Sequence, residues 1–354
     1  MLKIILRSIA GLFLLIFLAG AYWMFIHTAP PAKRPDLIRV PDALGPPPEG
    51  FLSEGTLYAA FALQEMGWYD LDLVDLEGGV PIPPGIKEEK DIVYGTGGGE
   101  PLALDLYSPE GLSAPVPGII FIHGGGWRSG KRQDYKFYTT RFAQHGYVVA
   151  TVTYRLREAG YFPNCVEDVK CAVRWMRANA EKLNVDPNRI AVIGGSAGGH
   201  LSMMVGYSPD VAAFEGTGGN AGVSSAVQAV IDIYGPVDFT QPKNRDHSLV
   251  TNFLQGTYEE IPEVFVKASP ITYLDPTDPP TLIIHGTIDT LVPVEQSDLL
   301  AEKFQAMGKT YWYDRIDGWP HAMDIANPVN QRVEQVSIAF LKEIFGPTVE
   351  ASAS

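Results

Sequence analysis

Eight short apolar runs, most of them rich in Val, Ile or Tyr, recur after Lys90: "DIVYG", "LALDLYSP", "PGIIFIHG", "YVVATVTY", "RIAVIGG", "VQAVIDIYG", "PTLIIHG" and "TYWYDRI". They are short, and β-branched and aromatic side chains favour a pleated, buried surface, so the pattern predicts buried strands. Between most of the later runs, residues 138–144, 166–179, 197–205 and 295–307 carry apolar side chains at helical spacing. Strands alternating with helices imply a parallel sheet whose crossovers cover both faces. The first two runs, joined through Gly97 to Glu100, predict an antiparallel hairpin at one edge. A final helix at about residues 331–345 closes the unit.

The N-terminal part follows a different pattern. Lys3 and Arg7 precede an uncharged apolar run at residues 9–26, long enough to span a bilayer. A basic start, an apolar centre and the small residues Ala19-Gly20-Ala21 also fit a cleaved signal peptide. Both readings predict export, either anchored in a membrane or released. We divide the chain into residues 1–27 as signal or anchor and 28–50 as a proline-rich tether. A cap segment with one short helix occupies 51–90, the catalytic domain 91–346 and a tail 347–354.

Of the 354 residues, 46% are hydrophobic and 19% charged, which predicts a packed fold. A net charge of −14 disfavours nucleic acid as a partner, because the summed field repels a polyanion. Cys165 and Cys171 are six residues apart in a predicted helix, on different faces, so no disulfide is expected.

In open α/β sheets chemistry gathers beyond the carboxyl ends of the strands. Four segments lie there: "HGGGW" from His123, "GGSAGG" from Gly194, "GTIDTLVP" from Gly286 and "DGWPHAM" from Asp317. The glycine cluster lacks the G-K-[ST] of a phosphate loop and the spacing of a dinucleotide fingerprint. It does match G-x-S-x-G at Gly194, Ser196 and Gly198, between a strand and a helix, where a strained turn exposes a serine hydroxyl.

A serine attacks only when a base takes its proton and an acid holds that base. Among seven histidines, His321 follows the last strand and precedes the last helix, as the order Ser, Asp, His requires. His27, His145, His200 and His247 lack that context, and His285 at a strand end reads as a satisfied core histidine. Asp289, in the turn after the penultimate strand, is the favoured acid; Asp232 and Asp238 are substitutes, and Asp317 reads as a loop residue. An oxyanion needs converging backbone N–H groups, for which Gly125, Gly126 and Ala197 are the candidates, with His123 holding their loop. Trp127 and Trp319 flank these positions as pocket candidates, and the segment 51–90 and the loop 208–225 are expected to shape the pocket. Arg155 and Asp168 are expected to form a buried ion pair beneath the site.

Together with "VTYRL", "FPNCVEDVKCAVRWMRANA" and "YGPVDF", these motifs resemble the α/β-hydrolase superfamily over roughly residues 92–345. Within it they are most similar to bacterial esterases of the feruloyl-esterase and hormone-sensitive-lipase types. The resemblance implies a mostly parallel eight-stranded sheet and serine hydrolysis of carboxylic esters without metal or organic cofactor. It carries the triad to Ser196, Asp289 and His321, and the oxyanion hole to Gly125, Gly126 and Ala197. Small-molecule or polysaccharide-linked esters are the implied substrates, with a membrane as partner if residues 1–27 are retained; an exported peptidase or amidase of the same superfamily, or a catalytically inactive hydrolase-like binding module, is the alternative. Where the family has His-Gly after its last strand, this chain has His321-Ala322.

Overall fold

The computed structural model describes residues 20, 22, 30–66, 70–74, 79–209 and 211–348. The signal or anchor segment thus lies almost wholly outside the described residues, as does most of the tail. Among the described residues no helix is long and apolar enough to cross a membrane.

All eight predicted strands form one sheet: β1 Ile86–Gly97, β2 Glu100–Pro109, β3 Val116–Ile122, β4 Val148–Val152, β5 Val185–Gly195, β6 Ala229–Ile233, β7 Thr281–Gly286 and β8 Tyr311–Ile316. Their spatial order is β1-β2-β4-β3-β5-β6-β7-β8. β1 and β2 form the predicted antiparallel hairpin, β2 pairs antiparallel with β4, and every pair from β4 through β8 is parallel. β1 begins at Ile86, so the sheet extends before residue 91, the expected start of the catalytic domain.

The helices that position the site are α1 Glu54–Glu65, α2 Lys136–Gln144, α3 Asn164–Ala178, α4 Ala197–Tyr207, α5 Ser248–Leu254, α6 Pro262–Ala268, α7 Glu295–Met307 and α8 Asn327–Phe345. The alternation of side chains along each strand divides the core in two. On β3, Ile120 and Ile122 face a layer with Val173 of α3, Leu201 of α4 and Phe304 of α7. Ile119 and Phe121 face the opposite layer, with Phe142 of α2 and Val333 and Phe340 of α8. Each such fully buried side chain contributes on the order of 2 kcal/mol, so the sheet is clamped from both sides. Cys165 and Cys171 are buried on α3 and unpaired.

The proline-rich segment, expected to be a tether that pairs poorly in a sheet, is seated along β8. Leu37 is fully buried. Arg39 exchanges both backbone hydrogen bonds with Tyr313, at 3.2 and 3.3 Å. Arg34 pairs with Glu302 at 2.8 Å. The prolines flank Arg39 and leave its N–H free to donate, so two ladder bonds form where a longer pairing cannot.

The expected ion pair is present: the Arg155 guanidinium lies 2.8 Å from Asp168, which also accepts the Arg155 backbone N–H at 2.8 Å. The loop at 208–225 departs from expectation, because its Glu215 is drawn away from the site by Lys170, 2.8 Å away, and by Arg174. Its described residues pack on α3 and β1 and line none of the cavities beside the site.

Candidate active site

Ser196 sits where β5 turns into α4, with φ +57° and ψ −121°, a strained backbone for any residue with a Cβ. Its N–H donates to the Ile233 carbonyl at 2.9 Å, and the His200 N–H donates to its carbonyl at 3.0 Å, which together hold the turn. A Cβ at Gly198 would stand 2.0 Å from the Ile122 carbonyl oxygen, so the helix approaches β3 this closely only with glycine there.

The loops after β7 and β8 are stitched together. The Gly318 N–H donates to Thr287 Oγ1 at 2.8 Å, and the Ile288 N–H donates to the Trp319 carbonyl at 3.1 Å. That stitching brings Asp289 to His321, with Asp289 Oδ2 lying 2.6 Å from His321 Nδ1, and His321 Nε2 lying 2.9 Å from Ser196 Oγ. A carboxylate can only accept, so Nδ1 carries the imidazole proton and Nε2 is left to accept from the serine hydroxyl. Sequence positions 196, 289 and 321 thus meet in one relay.

Asp289 is held as an anion. Burial alone raises its pKa, but hydrogen bonds from His285 and His321 more than reverse this and bring it down to about 2. Its other oxygen accepts the N–H groups of Leu291 and Val292, at 2.9 and 2.8 Å.

The other carboxylates take no part in the relay. Asp232 packs behind the Ser196 turn, accepting the Gly235 N–H at 2.9 Å, and burial pushes its pKa well above the usual range. Asp238 caps its own turn through Thr240 and Gln241. Asp317 is a loop residue bridged to Lys33 at 3.2 Å.

The histidines sort by their partners. His285 is fully buried, as expected of a core histidine, yet its Nε2 lies 3.2 Å from Asp289 Oδ2 and 2.9 Å from the Val292 carbonyl. With two acceptors facing it, Nε2 bears the proton, and Nδ1 accepts from Ser297 Oγ at 2.7 Å. His123 holds the glycine loop through Nδ1 and the Gly124 carbonyl, 2.8 Å apart, and stacks on Tyr154 at 4.4 Å. His200 is buried, accepts the Trp127 indole N–H at 3.3 Å, and is kept neutral by desolvation, which lowers its pKa to about 4. His145 ends α2 and contacts Glu334 at 3.1 Å.

Gly125 and Gly126 have φ +103° and +59°, and the Gly125 carbonyl is occupied by the Arg128 and Ser129 N–H groups, both at 3.1 Å. The loop is thereby tied at its carbonyl side. Ala197 opens α4 directly after the serine, where helix N–H groups have no partner within the helix.

Two cavities border Ser196 and His321, and a further one borders Asp289. One of about 30 Å³ is lined by Ser196, Gly126, Trp127, Leu249, Val250 and Val292. The other, about 440 Å³, lies between the cap segment and the His321 loop, with Trp319 in its wall. Trp127 and Trp319 therefore line different cavities, and both also serve packing: Trp127 stacks on Phe253 at 4.3 Å, and Trp319 donates to the Pro48 carbonyl at 3.2 Å.

Four contributors escaped the sequence reading. Leu249 and Val250 of α5 wall the small cavity, as does His247, which caps that helix by accepting the Leu249 N–H at 3.2 Å. Tyr234, with φ +47°, lays its ring 4.8 Å from the His321 imidazole and donates its hydroxyl to Asp324. The only sequence sign of Tyr234 is its place just after β6, at the carboxyl end of a strand.

Known proteins share this arrangement of sheet and loops. The family model BD-FAE matches residues 104–304, more than half of the chain. The esterase LipC of Mycobacterium tuberculosis is 34% identical over 68% of this chain and 64% of its own, and LipQ of the same organism is 32% identical over 73% and 63%. The chain thus spans under two thirds of the length of these curated relatives. Among solved structures, the butyrate-bound esterase Est2 of Thermogutta terrifontis superposes with TM-score 0.64 at 29% identity, covering 75% of this chain and 96% of that one. A truncated carbohydrate esterase from gut microbiota gives 0.64 at 28%, covering 73% and 95%. The fold is that of the α/β-hydrolases, and the chain belongs to the BD-FAE family.

Proposed function

We propose that the protein is a carboxylic ester hydrolase acting through an acyl-enzyme on Ser196. The observation that carries this reading is the unbroken relay from Ser196 through His321 to Asp289, with 2.9 and 2.6 Å links. Its esterase relatives support the same bond type.

Ser196 Oγ attacks the carbonyl carbon while His321 Nε2 takes its proton, and the imidazolium is stabilised by the Asp289 anion. The carbonyl oxygen, now negative, is met by the N–H groups of Gly125, Gly126 and Ala197, which need not reorganise as charge develops. His321 then protonates the departing alcohol; a water attacks the acyl carbon while losing its proton to the same nitrogen, and that proton passes to Ser196 Oγ as the acyl–serine bond breaks and the carboxylic acid is released.

The test pairs turnover with labelling. Wild-type protein should hydrolyse p-nitrophenyl acetate and take up a fluorophosphonate probe, and Ser196→Ala should lose both. Retention of either activity by the variant sinks the assignment. An inactive module would show neither in the wild type, and an amidase would prefer aminoacyl anilides.

Location follows from the basic start and the apolar run at residues 9–26, which support export to the outer face of a membrane or beyond. Fractionation of cells making the full chain tests this, and recovery only in the cytosol refutes it.

A further inference from the structure

We propose that a cavity of about 300 Å³ beside the glycine loop is an anion subsite, and that the ester this protein takes carries a carboxylate on its acyl half. The proposal rests on the ester-hydrolase reading above.

The glycine loop is where this cavity adjoins the relay. Gly126 and Trp127 line both it and the small cavity at Ser196, and His321 lines neither. The leaving oxygen must collect its proton from His321 Nε2, so the alcohol half lies on the imidazole side and the acyl half points away from it. An acyl chain that outgrows the space beside Ser196 meets the larger cavity next along the same loop.

The wall it meets there is cationic. Arg128 follows the glycine loop and Arg157 lies in the loop after β4, opposite Asn252 and Phe253 of α5. Elsewhere Arg132, Arg141, Arg155, Arg174, Arg315 and Arg332 are each taken up by a carboxylate of this chain. Among the described residues Arg128 and Arg157 make no ion pair, although Glu158 lines the same cavity. Two cations thus face one anion there, with room between them for a second.

Arg157 is also held in place. Its backbone, at φ +55°, donates its N–H to the Trp127 carbonyl at 3.0 Å, and Trp127 itself has φ +57°. Its Nε donates to the Arg128 carbonyl at 3.1 Å. Two strained residues are thereby tied together at the glycine loop, and the terminal nitrogens of Arg157 keep their N–H groups without an acceptor among the described residues. A planar fork fixed at Nε offers those N–H groups to a carboxylate, which accepts two at once. The net charge of −14 opposes any anionic ester, so a local pair of cations is what allows one to settle here.

Esters of dicarboxylic acids, given to the full-length protein, test the assignment. The monomethyl esters of succinic, glutaric and adipic acid are compared with their dimethyl esters, which keep the carbon skeleton and replace the carboxylate by a neutral group. At the best-fitting length the monoester should be favoured in kcat/KM by at least about tenfold. Arg128 is exposed and its side chain makes no hydrogen bond among the described residues, so replacing it removes no contact that holds the fold. Arg128→Gln should reduce the preference to under about threefold, and Arg128→Glu should reverse it in favour of the diester. Lys87→Gln, which removes a positive charge at the opposite end of the strands, should leave the ratio unchanged. With the carboxylate moved to the alcohol, γ-acetoxybutyrate should gain nothing over butyl acetate. Equal kcat/KM for every monoester and its diester, a preference that survives Arg128→Glu, or an equal preference for γ-acetoxybutyrate overturns the proposal, while p-nitrophenyl acetate turnover and probe labelling leave the ester reading standing. Absence of both turnover and labelling overturns the ester reading itself and the proposal with it.

Discussion

His285 Nε2 lies 3.2 Å from the Asp289 oxygen that also receives His321 Nδ1. One carboxylate oxygen is therefore shared by a buried imidazole and a half-exposed one, and the buried one has no route to substrate. Its effect is to help fix the carboxylate as an anion in one orientation.

Replacing His285 with Leu should leave Asp289, Ser297 Oγ and the Val292 carbonyl each short of a partner. Loss of buried hydrogen bonds of this kind costs about 1–3 kcal/mol. Urea unfolding should show that loss, with kcat for p-nitrophenyl acetate reduced by less than about tenfold because the relay itself is spared. A loss of activity as large as that of Ser196→Ala would contradict the positioning role.

Asp289→Asn should behave differently. The amide can present N–H where a carboxylate oxygen accepted, favouring the tautomer in which His321 Nε2 carries the proton. We expect kcat to fall by about three to four orders of magnitude, as loss of the triad acid does in serine proteases, together with loss of the stability that the ionised carboxylate contributes at neutral pH.

The same carboxylate sets an acid dependence. Its folded pKa, about 2, lies below the ordinary aspartate value of 3.8, so its contribution is fully present above the unfolded value and is lost as pH falls through about 2. The amount is on the order of 2 kcal/mol. Between pH 5 and pH 2 the wild type should lose this much more unfolding free energy than Asp289→Asn, measured by denaturant titration at each pH. Parallel pH profiles would refute the linkage.

Ala322 follows the base with φ +55°, a left-handed conformation that costs an L-residue with a Cβ about 1 kcal/mol or more. Ala322→Gly should raise stability by about 1 kcal/mol, seen as a higher denaturant midpoint, with little change in kcat/KM. A destabilised Ala322→Gly would show that the methyl group contributes packing that outweighs the strain.

At Gly198 the constraint is steric. Gly198→Ala places a methyl carbon 2.0 Å from a backbone oxygen of β3, which neither element can vacate without breaking the turn. We expect loss of both soluble yield and probe labelling, while a labelled, fully active variant would refute the close-packing account.

Strand composition and the order Ser, Asp, His are local or order-based signals, so the sheet, the Ser196 turn, and the positions of Asp289 and His321 could be read from the sequence. The departure from His-Gly to His321-Ala322 has a backbone side that no side-chain pattern reveals: Ala322 is left-handed, the conformation that glycine adopts without steric cost. The pocket walls were illegible for another reason. Leu249 and Val250 reach Gly126 across more than 120 residues of chain, from a short helix whose apolar residues look like any others. Likewise Glu215 anchors its loop to Lys170 and Arg174 on α3, a pairing set by tertiary geometry and carried by no motif.

The segment seated on β8 has a consequence for how copies of this chain meet one another. A terminal strand normally offers a free row of N–H and C=O groups to any extended chain that drifts by, the commonest route to runaway association. Here Arg39 takes up two of those groups at Tyr313, and prolines 35 and 41 ensure that the covering segment cannot itself be extended by a newcomer. The residues that look like a spacer in the sequence act as a terminating selvedge, leaving as the place where sheet-to-sheet joining can begin only the part of β1 before Thr96, whose N–H already donates to the Gly218 carbonyl.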